Sequence, residues 1–133
     1  MISSGVDIVS QERIAKAIEK HEEAFLQRVC SEGEIELYRS VKTPARKVEF
    51  LSGRFAAKEA VSKALGTGLG AKGVALTDME IKKKESGAPE VVLTGKAKEV
   101  YSKQKGRSIS VSISHDAGMA VAFCCIEKEE EEK

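Results

Sequence analysis

A run of twenty residues at 46–65, RKVEFLSGRFAAKEAVSKAL, predicts one long helix and constrains the fold more than any other segment. Thr43-Pro44 interrupts helical structure just before this run, because the residue ahead of a proline avoids helical angles. After Leu65 the sequence GTGLG supplies glycines that suit a left-handed helix cap and a flexible loop. Small side chains recur within the run, so we expect another backbone or a ligand to come close to this helix.

The sequence before the long helix predicts one strand and several shorter helical segments. Residues 3–9 predict a strand in which Val6 and Ile8 share one face and Asp7 lies on the other. Helical spacing follows in three places: from Ser10, at about 22–29, and from Ser31 toward Tyr38.

The sequence after the long helix has the periodicity of strands. The predicted strands are 77–83, 90–94, 108–114 and 119–127, with a helix at 95–105. The third strand alternates apolar residues with serine, which is typical of a half-buried strand. His115 to Gly118 is predicted as a hairpin connection. These patterns indicate a single α+β domain over residues 1–133, with a long central helix against a mostly antiparallel sheet and a frayed charged tail from about 127.

Composition excludes several classes of function. A net charge of +1 over 133 residues lacks the basic excess of a dedicated nucleic-acid binder. Cys30 and the adjacent Cys124 and Cys125 match neither a disulfide framework nor the common zinc spacings. No stretch reaches the roughly 20 apolar residues of a membrane span, and residues 1–20 lack the apolar run of a signal peptide. We therefore expect a soluble, cytoplasmic protein that binds neither nucleic acid nor a membrane.

Two acidic residues suggest a metal site. Glu59 is four residues after Phe55 and four before Lys63, so the three share one stripe of the long helix at the edge of the core. Asp7 lies in an otherwise apolar strand, where an unpaired buried carboxylate is costly. Mg²⁺ held by Asp7 and Glu59 would explain both positions, because magnesium commonly binds one or two carboxylates together with water and phosphate oxygens. The alternatives are an exposed Glu59–Lys63 ion pair and a helix-capping role for Asp7.

Basic residues and glycines near the long helix suggest an anion-binding site. Four cations lie on or beside the helix: Arg46, Arg54, Lys58 and Lys63. The glycines that begin at Gly66 leave backbone N–H groups accessible at its end. The signal is weak, because GTGLG fits neither the P-loop nor the dinucleotide-binding pattern. For His115 the alternatives are a structural or merely exposed side chain and a phosphate contact or general base.

Three blocks of the sequence together resemble the holo-acyl-carrier-protein synthases, the small bacterial 4′-phosphopantetheinyl transferases. The blocks are GVDIV near the N-terminus, FLSGRFAAKEAVSKALGTGLG at 50–70 and SISVSISHDAGMAVAFCCIE at 108–127. They occur in the family's order over nearly the whole chain, and the middle block is long and specific. The resemblance implies the family's fold. It also implies transfer of the phosphopantetheine arm of coenzyme A to a serine of apo acyl carrier protein, in support of fatty acid biosynthesis.

The resemblance implies a role for each candidate residue. Asp7 and Glu59 would hold Mg²⁺ against the pyrophosphate of coenzyme A, and Lys63 would bind the phosphate under attack. Glu59, or a water that it orients, is the candidate acceptor of the serine proton. His115 and Arg46 match family positions that contact the 3′,5′-ADP portion. The other residues expected to bind coenzyme A are Arg54, Gly66, Gly87 and Pro89.

The resemblance also implies partner subunits and a docking surface. The family works as a homotrimer with active sites in clefts between subunits. Arg13 matches an arginine on the first helix that docks the acidic helix of the carrier protein, and Arg28 would extend that surface.

The sequence departs from the family pattern in two places. Gly87-Ala88-Pro89 stands where the family often has Gly-Lys-Pro, so a lysine among residues 82–84 would have to compensate. Glu19, Glu22 and Glu23 lie among the basic residues of the first helical region and should either weaken attraction to an acidic carrier or confine its docking to the side of Arg13 and Arg28. The alternative function is a non-catalytic module that binds coenzyme A or a nucleotide.

Overall fold

The computed structural model describes residues 1–67 and 73–130 and has the predicted α+β composition. In chain order the elements are β1 (Ile2–Ser10), α1 (Gln11–Val29), α2 (Glu32–Ser40), α3 (Pro44–Leu65), a short 3-10 helix (Leu76–Asp78), β2 (Met79–Lys83), β3 (Pro89–Leu93), α4 (Gly95–Lys103), β4 (Gly106–Asp116) and β5 (Met119–Lys128). Most of the predicted glycine loop after Thr67 lies outside the described residues, as does the tail beyond Glu130. None of the described helices is both long enough and apolar enough to cross a membrane.

The strands pair antiparallel, as the sequence predicts, but they form two separate sheets and not the single sheet expected. In the larger sheet β5 lies between β1 and β4, whereas β2 and β3 form a separate hairpin. A two-residue turn joins β4 to β5, and its residues Ala117 and Gly118 have φ values of 50° and 75°. Positive φ at both positions is typical of the tight turns that match the twist of a hairpin. His115 therefore lies in β4, opposite Ala120, and its predicted position in the turn is wrong.

Helix α3 packs against the inner face of β1 and β5. Its small residues, including Ala56, Ala57 and Ala60, are fully buried. Gly5 of β1 lies so close to the helix that a Cβ there would overlap the carbonyl oxygen of Ala60. The expected close approach of another backbone is thus confirmed, and it fixes β1 relative to α3.

The ends of several elements differ from the predicted ones for local reasons. Helix α1 is a single element in which His21 has non-helical angles (φ −148°, ψ 54°), between the two helical segments that the sequence predicts. Its N-terminal cap is Ser10, whose Oγ accepts a hydrogen bond from a backbone N–H in the first turn, so the capping alternative for Asp7 is wrong. Strand β2 begins two residues late, because a 3-10 helix precedes it. Strand β5 includes Glu127 and Lys128, the first residues of the predicted frayed tail.

A buried ion pair connects α3 to three other elements. Nζ of Lys58 donates to the carbonyl oxygen of Val29 at 2.6 Å and to Oε1 of Glu34 at 2.5 Å. The carboxylate of Glu34 also accepts hydrogen bonds from the backbone N–H groups of Ser31 and Ile81, at 2.9 and 3.0 Å. Lys58 is completely buried in the core, so its expected membership of the anion-binding site is wrong.

Candidate active site

Strand β1 and helix α3 bring Asp7 and Lys63 into contact beside Glu59. Nζ of Lys63 donates to Oδ1 of Asp7 at 3.1 Å and to the carbonyl oxygen of Val6 at 3.0 Å. The Asp7 side chain is 16% exposed and faces α3, whereas Val6 and Ile8 are 54% and 62% exposed on the other face. The predicted alternation along β1 is confirmed, with the acid on the inner face. The ion pair of Lys63 is made across to β1, and the predicted intrahelical pair with Glu59 is not found in the described part of the chain.

The surroundings of Glu59 disfavour its charged form. Burial raises the pKa of Glu59, and the negative charge of Asp7 raises it further. The positive charges of Lys63, Arg13 and Arg28 act in the opposite direction, and the net effect is a raised pKa. A half-buried carboxylate that faces a second acid is a site that a cation would stabilise.

The donor set fits a hard divalent cation. Carboxylate oxygens suit Mg²⁺, which takes one or two of them and fills its remaining positions with water and phosphate oxygens. Within residues 1–67 and 73–130, no cluster of three or more His, Cys, Asp or Glu side chains forms an all-protein metal site. Asp7 and Glu59 supply two carboxylates, the number that Mg²⁺ takes when water and phosphate oxygens complete its coordination. Lys63 is 52% exposed and has three N–H donors, of which Asp7 and Val6 accept two.

A cleft of about 470 Å³ lies between α3, the β2–β3 hairpin and the end of β4. Five residues predicted to bind coenzyme A line it: Arg46, Arg54, Gly87, Pro89 and His115. We call it the nucleotide cleft after the ligand that the resemblance predicts for these residues. Lys82 and Lys83 also line it, near Gly87 and Pro89, which flank the position where the family often has a lysine. Gly66 lies elsewhere, at the left-handed C-terminal cap of α3, with φ 78°.

Arg54 is held firmly in the wall of the nucleotide cleft. Nη2 of Arg54 donates to the carbonyl oxygen of Ile81 at 3.2 Å, and Nε lies 3.9 Å from Oε2 of Glu34. The guanidinium carbon lies 4.1 Å from the centroid of the Phe50 ring, a cation–π contact. Burial lowers the pKa of Arg54, although a guanidinium stays charged at neutral pH. Sequence analysis missed Phe50, yet its spacing four residues before the arginine was a usable signal.

His115 lies against helix α3 at the edge of the same cleft. A Cβ added to Gly53 would lie 3.2 Å from Nε2 and 3.3 Å from Cε1 of His115. Gly53 and His115 both line the nucleotide cleft. Because Gly53 has no side chain, the imidazole can approach the helix closely.

A second cleft, of about 400 Å³, lies along α1 and contains both arginines predicted to dock the carrier. Arg13 and Arg28 line this docking cleft together with Ile14, Phe25 and Phe55. The rings of Phe25 and Phe55 stack with their centroids 6.2 Å apart. The lining therefore combines two cations with an apolar surface, which suits an acidic amphipathic partner.

Two of the acids expected to oppose carrier binding are engaged by α2. The hydroxyl of Tyr38 donates to Oε2 of Glu22 at 2.8 Å. Nη2 of Arg39 lies 3.0 Å from both carboxylate oxygens of Glu23. These two carboxylates already have partners on α2. They should therefore compete less with the acidic side chains of a carrier for the arginines of the docking cleft.

Comparison with known proteins identifies the family. The model of the 4′-phosphopantetheinyl transferase superfamily matches residues 3–124. The chain belongs to this superfamily. The holo-[acyl-carrier-protein] synthase of Clostridium kluyveri is 46% identical over 123 residues, which cover 92% of this chain and 87% of the relative. The synthase of Ruminiclostridium cellulolyticum is 47% identical over 122 residues, which cover 92% and 89%.

Solved structures of this superfamily have the same fold. The holo-[acyl-carrier-protein] synthase of Neisseria meningitidis matches with a TM-score of 0.86 and 32% identity, over 96% of this chain and 100% of that one. The Helicobacter pylori synthase in complex with coenzyme A matches with a TM-score of 0.79 and 39% identity, with the same coverage. The family resemblance, the fold class and the transferase class predicted from the sequence are confirmed.

Proposed function

We propose that this chain transfers the 4′-phosphopantetheine arm of coenzyme A to a serine of an apo acyl carrier protein and releases adenosine 3′,5′-bisphosphate. One observation carries the proposal. The helix that bears Glu59 and Lys63 also contributes Arg54 to the nucleotide cleft and Phe55 to the docking cleft. A transfer from a polyanionic cofactor to an acidic protein needs both surfaces beside one reactive group. The product supports fatty acid biosynthesis, and we expect the reaction in the cytoplasm, where free thiols stay reduced.

Asp7, Glu59 and Lys63 have complementary tasks in the proposed reaction. Mg²⁺ bound by Asp7 and Glu59 would offset the negative charge of the pyrophosphate and so favour departure of 3′,5′-ADP. Lys63, held by the β1 backbone and Asp7, donates its remaining N–H to the phosphate under attack. A bond forms between the serine oxygen and phosphorus, the bond to the departing oxygen breaks, and Glu59 accepts the serine proton directly or through a water.

Cofactor and carrier are held by different parts of the chain. Arg46 and His115 hold the 3′,5′-ADP portion in the nucleotide cleft, with Lys82 and Lys83 replacing the charge that Ala88 lacks. Arg13 and the second arginine of the docking cleft bind acidic side chains of the carrier, while the apolar lining accepts its exposed apolar residues. Binding both partners in this way aligns the serine with the phosphorus.

We also propose that three copies of the chain associate through the outer face of the larger sheet. Val6 pairs with Phe123 across β1 and β5, and these residues and Ile8 are 54%, 49% and 62% exposed. A contiguous exposed apolar face is typical of a protein–protein interface. Because side chains alternate along β1, the acid on its inner face lies next to this interface. Light scattering should give three times the 14.4 kDa chain mass, and a monomer would refute the assembly.

The test of the transfer reaction is the intact mass of an apo carrier protein after incubation with this chain, coenzyme A and Mg²⁺. We expect the carrier to gain one phosphopantetheine arm, and chelation of the metal should prevent the gain. The competing function is a non-catalytic module. That function predicts calorimetric binding of coenzyme A without any change in the carrier mass, a result that would refute the enzyme.

A further inference from the structure

The side-chain amide of Gln11 lies beside the imidazole of His115, 104 positions away in the chain. Gln11 is the first residue of α1, and its backbone N–H donates to the carbonyl oxygen of Gly118 at 2.9 Å. This bond attaches the start of the helix to the turn between β4 and β5. Since His115 is close to the end of β4, the two side chains meet, with Nε2 of Gln11 3.4 Å from Nδ1 of His115.

In one tautomer of the neutral His115 ring, the side-chain amide of Gln11 donates a hydrogen bond to Nδ1. An amide nitrogen can only donate a hydrogen bond, so in this tautomer Nδ1 accepts and the single ring N–H is on Nε2. Nε2 lies on the side of the ring that faces Gly53, a residue of the nucleotide cleft. In this tautomer the imidazole has a hydrogen-bond donor at the cleft.

We propose that Gln11 is a positioning residue for coenzyme A, acting through His115. It holds the ring so that Nε2–H donates to a phosphate oxygen of the 3′,5′-ADP portion. With the proton on Nδ1 instead, Nε2 would direct a lone pair at the phosphate and repel it. This inference rests on the proposed function, because that function assigns the 3′,5′-ADP portion of coenzyme A to the nucleotide cleft. Gln11 itself is not among the described residues that line the cleft.

The first test measures binding of adenosine 3′,5′-bisphosphate by calorimetry. Gln11→Met keeps the length of the side chain and removes its N–H donors, and we expect about fivefold weaker binding, the worth of about one hydrogen bond. Glu12→Gln is the matched control, because Glu12 is the adjacent exposed residue and pairs with Lys16. The control should bind like the wild type.

A double-variant cycle decides whether Gln11 acts through His115. If it does, Gln11→Met should add no further loss in a His115→Ala background. The same fivefold loss in both backgrounds would overturn the proposal. Steady-state kinetics give a second criterion: Gln11→Met should raise KM for coenzyme A, with kcat and the KM for the carrier unchanged. A general structural defect would change all three.

Imidazole nitrogen chemical shifts test the proton position without any ligand. The chain has only two histidines, so the His115 signals are easily assigned with a His21→Gln variant. In the neutral ring we expect the proton on Nε2 and none on Nδ1, and a neutral ring with its proton on Nδ1 would overturn the inference. If the wild type transfers the arm but Gln11→Met binds like the wild type, the inference is wrong and the proposed function stands. If the wild type transfers nothing, the proposed function is wrong, and the calorimetric comparison of the wild type with Gln11→Met still decides the inference.

Discussion

Replacement of Lys58 by methionine tests the buried ion pair that connects α3 to α1, α2 and β2. The side chains of Lys58 and Glu34 are 0% and 1% exposed, so water cannot replace a lost partner. Methionine keeps most of the volume and removes the charge with its three N–H donors. Glu34 would keep the backbone N–H groups of Ser31 and Ile81 as partners, and Arg54 lies 3.9 Å away.

The expected loss of stability follows from these contacts. Removal of one partner from a buried ion pair typically costs about 3–5 kcal/mol. Because Glu34 keeps two backbone donors and a nearby guanidinium, we expect the lower end, about 3 kcal/mol. For a chain of this size that loss corresponds to a fall in Tm of roughly 10–15 °C.

The assay is denaturant unfolding of four proteins at one protein concentration: the wild type, Lys58→Met, Glu34→Gln and the double variant. The double variant removes both charges, so it should lose less stability than the sum of the two single changes. The fixed concentration matters because assembly would contribute to the measured stability. A loss below about 1 kcal/mol for Lys58→Met, or strict additivity in the double variant, would refute the argument.

Three further predictions concern the active site and its surroundings. Glu59→Gln should abolish transfer in the carrier-mass assay while circular dichroism shows an intact fold. Because burial and Asp7 raise the pKa of Glu59, the folded chain binds this proton at a higher pH than the unfolded chain. The metal-free wild type should therefore gain stability as the pH falls toward that pKa, and Glu59→Gln should lack this gain. Arg13→Glu should raise KM for the carrier far more than KM for coenzyme A, and Lys16→Glu on the same helix, outside the docking cleft, is its control; equal effects on both substrates would contradict docking. Gly5→Ala should cost about 1–3 kcal/mol in urea unfolding and reduce transfer, since its Cβ overlaps the α3 backbone; wild-type stability would contradict that packing.

Local sequence signals predicted most of the secondary structure. The long helix lies at Pro44–Leu65, against 46–65 predicted, because a cap, a proline and a terminal glycine are signals carried by adjacent residues. The strand with alternating serines is β4. The prediction is wrong where pairing with a neighbouring strand sets the end of an element. Strand β4 continues through His115, which was predicted to lie in the turn, because His115 pairs with Ala120 of β5. Ser10, and not Asp7, caps α1 because its hydroxyl is the one within reach of the first turn.

For the candidate site, too, the sequence suggested the residues but not their contacts. Asp7, Glu59 and Lys63 were proposed from charged residues in apolar patterns and from the family resemblance, both of which are properties of the sequence. Their partners were not predictable, because a stripe of four-residue spacing shows which side chains share a face and not what that face meets. Lys63 pairs with Asp7 on β1, 56 positions away.

The sequence by itself determined most of the elements and the family, and it supplied the candidates for the reactive side chains, since these depend on neighbours along the chain. Only the tertiary structure decided that Lys58 belongs to the core, that Val6 faces outward and that Gln11 meets His115. These contacts join residues far apart in the sequence. Their geometry depends on how β1 and α3 pack, which Gly5 permits and which no local pattern encodes.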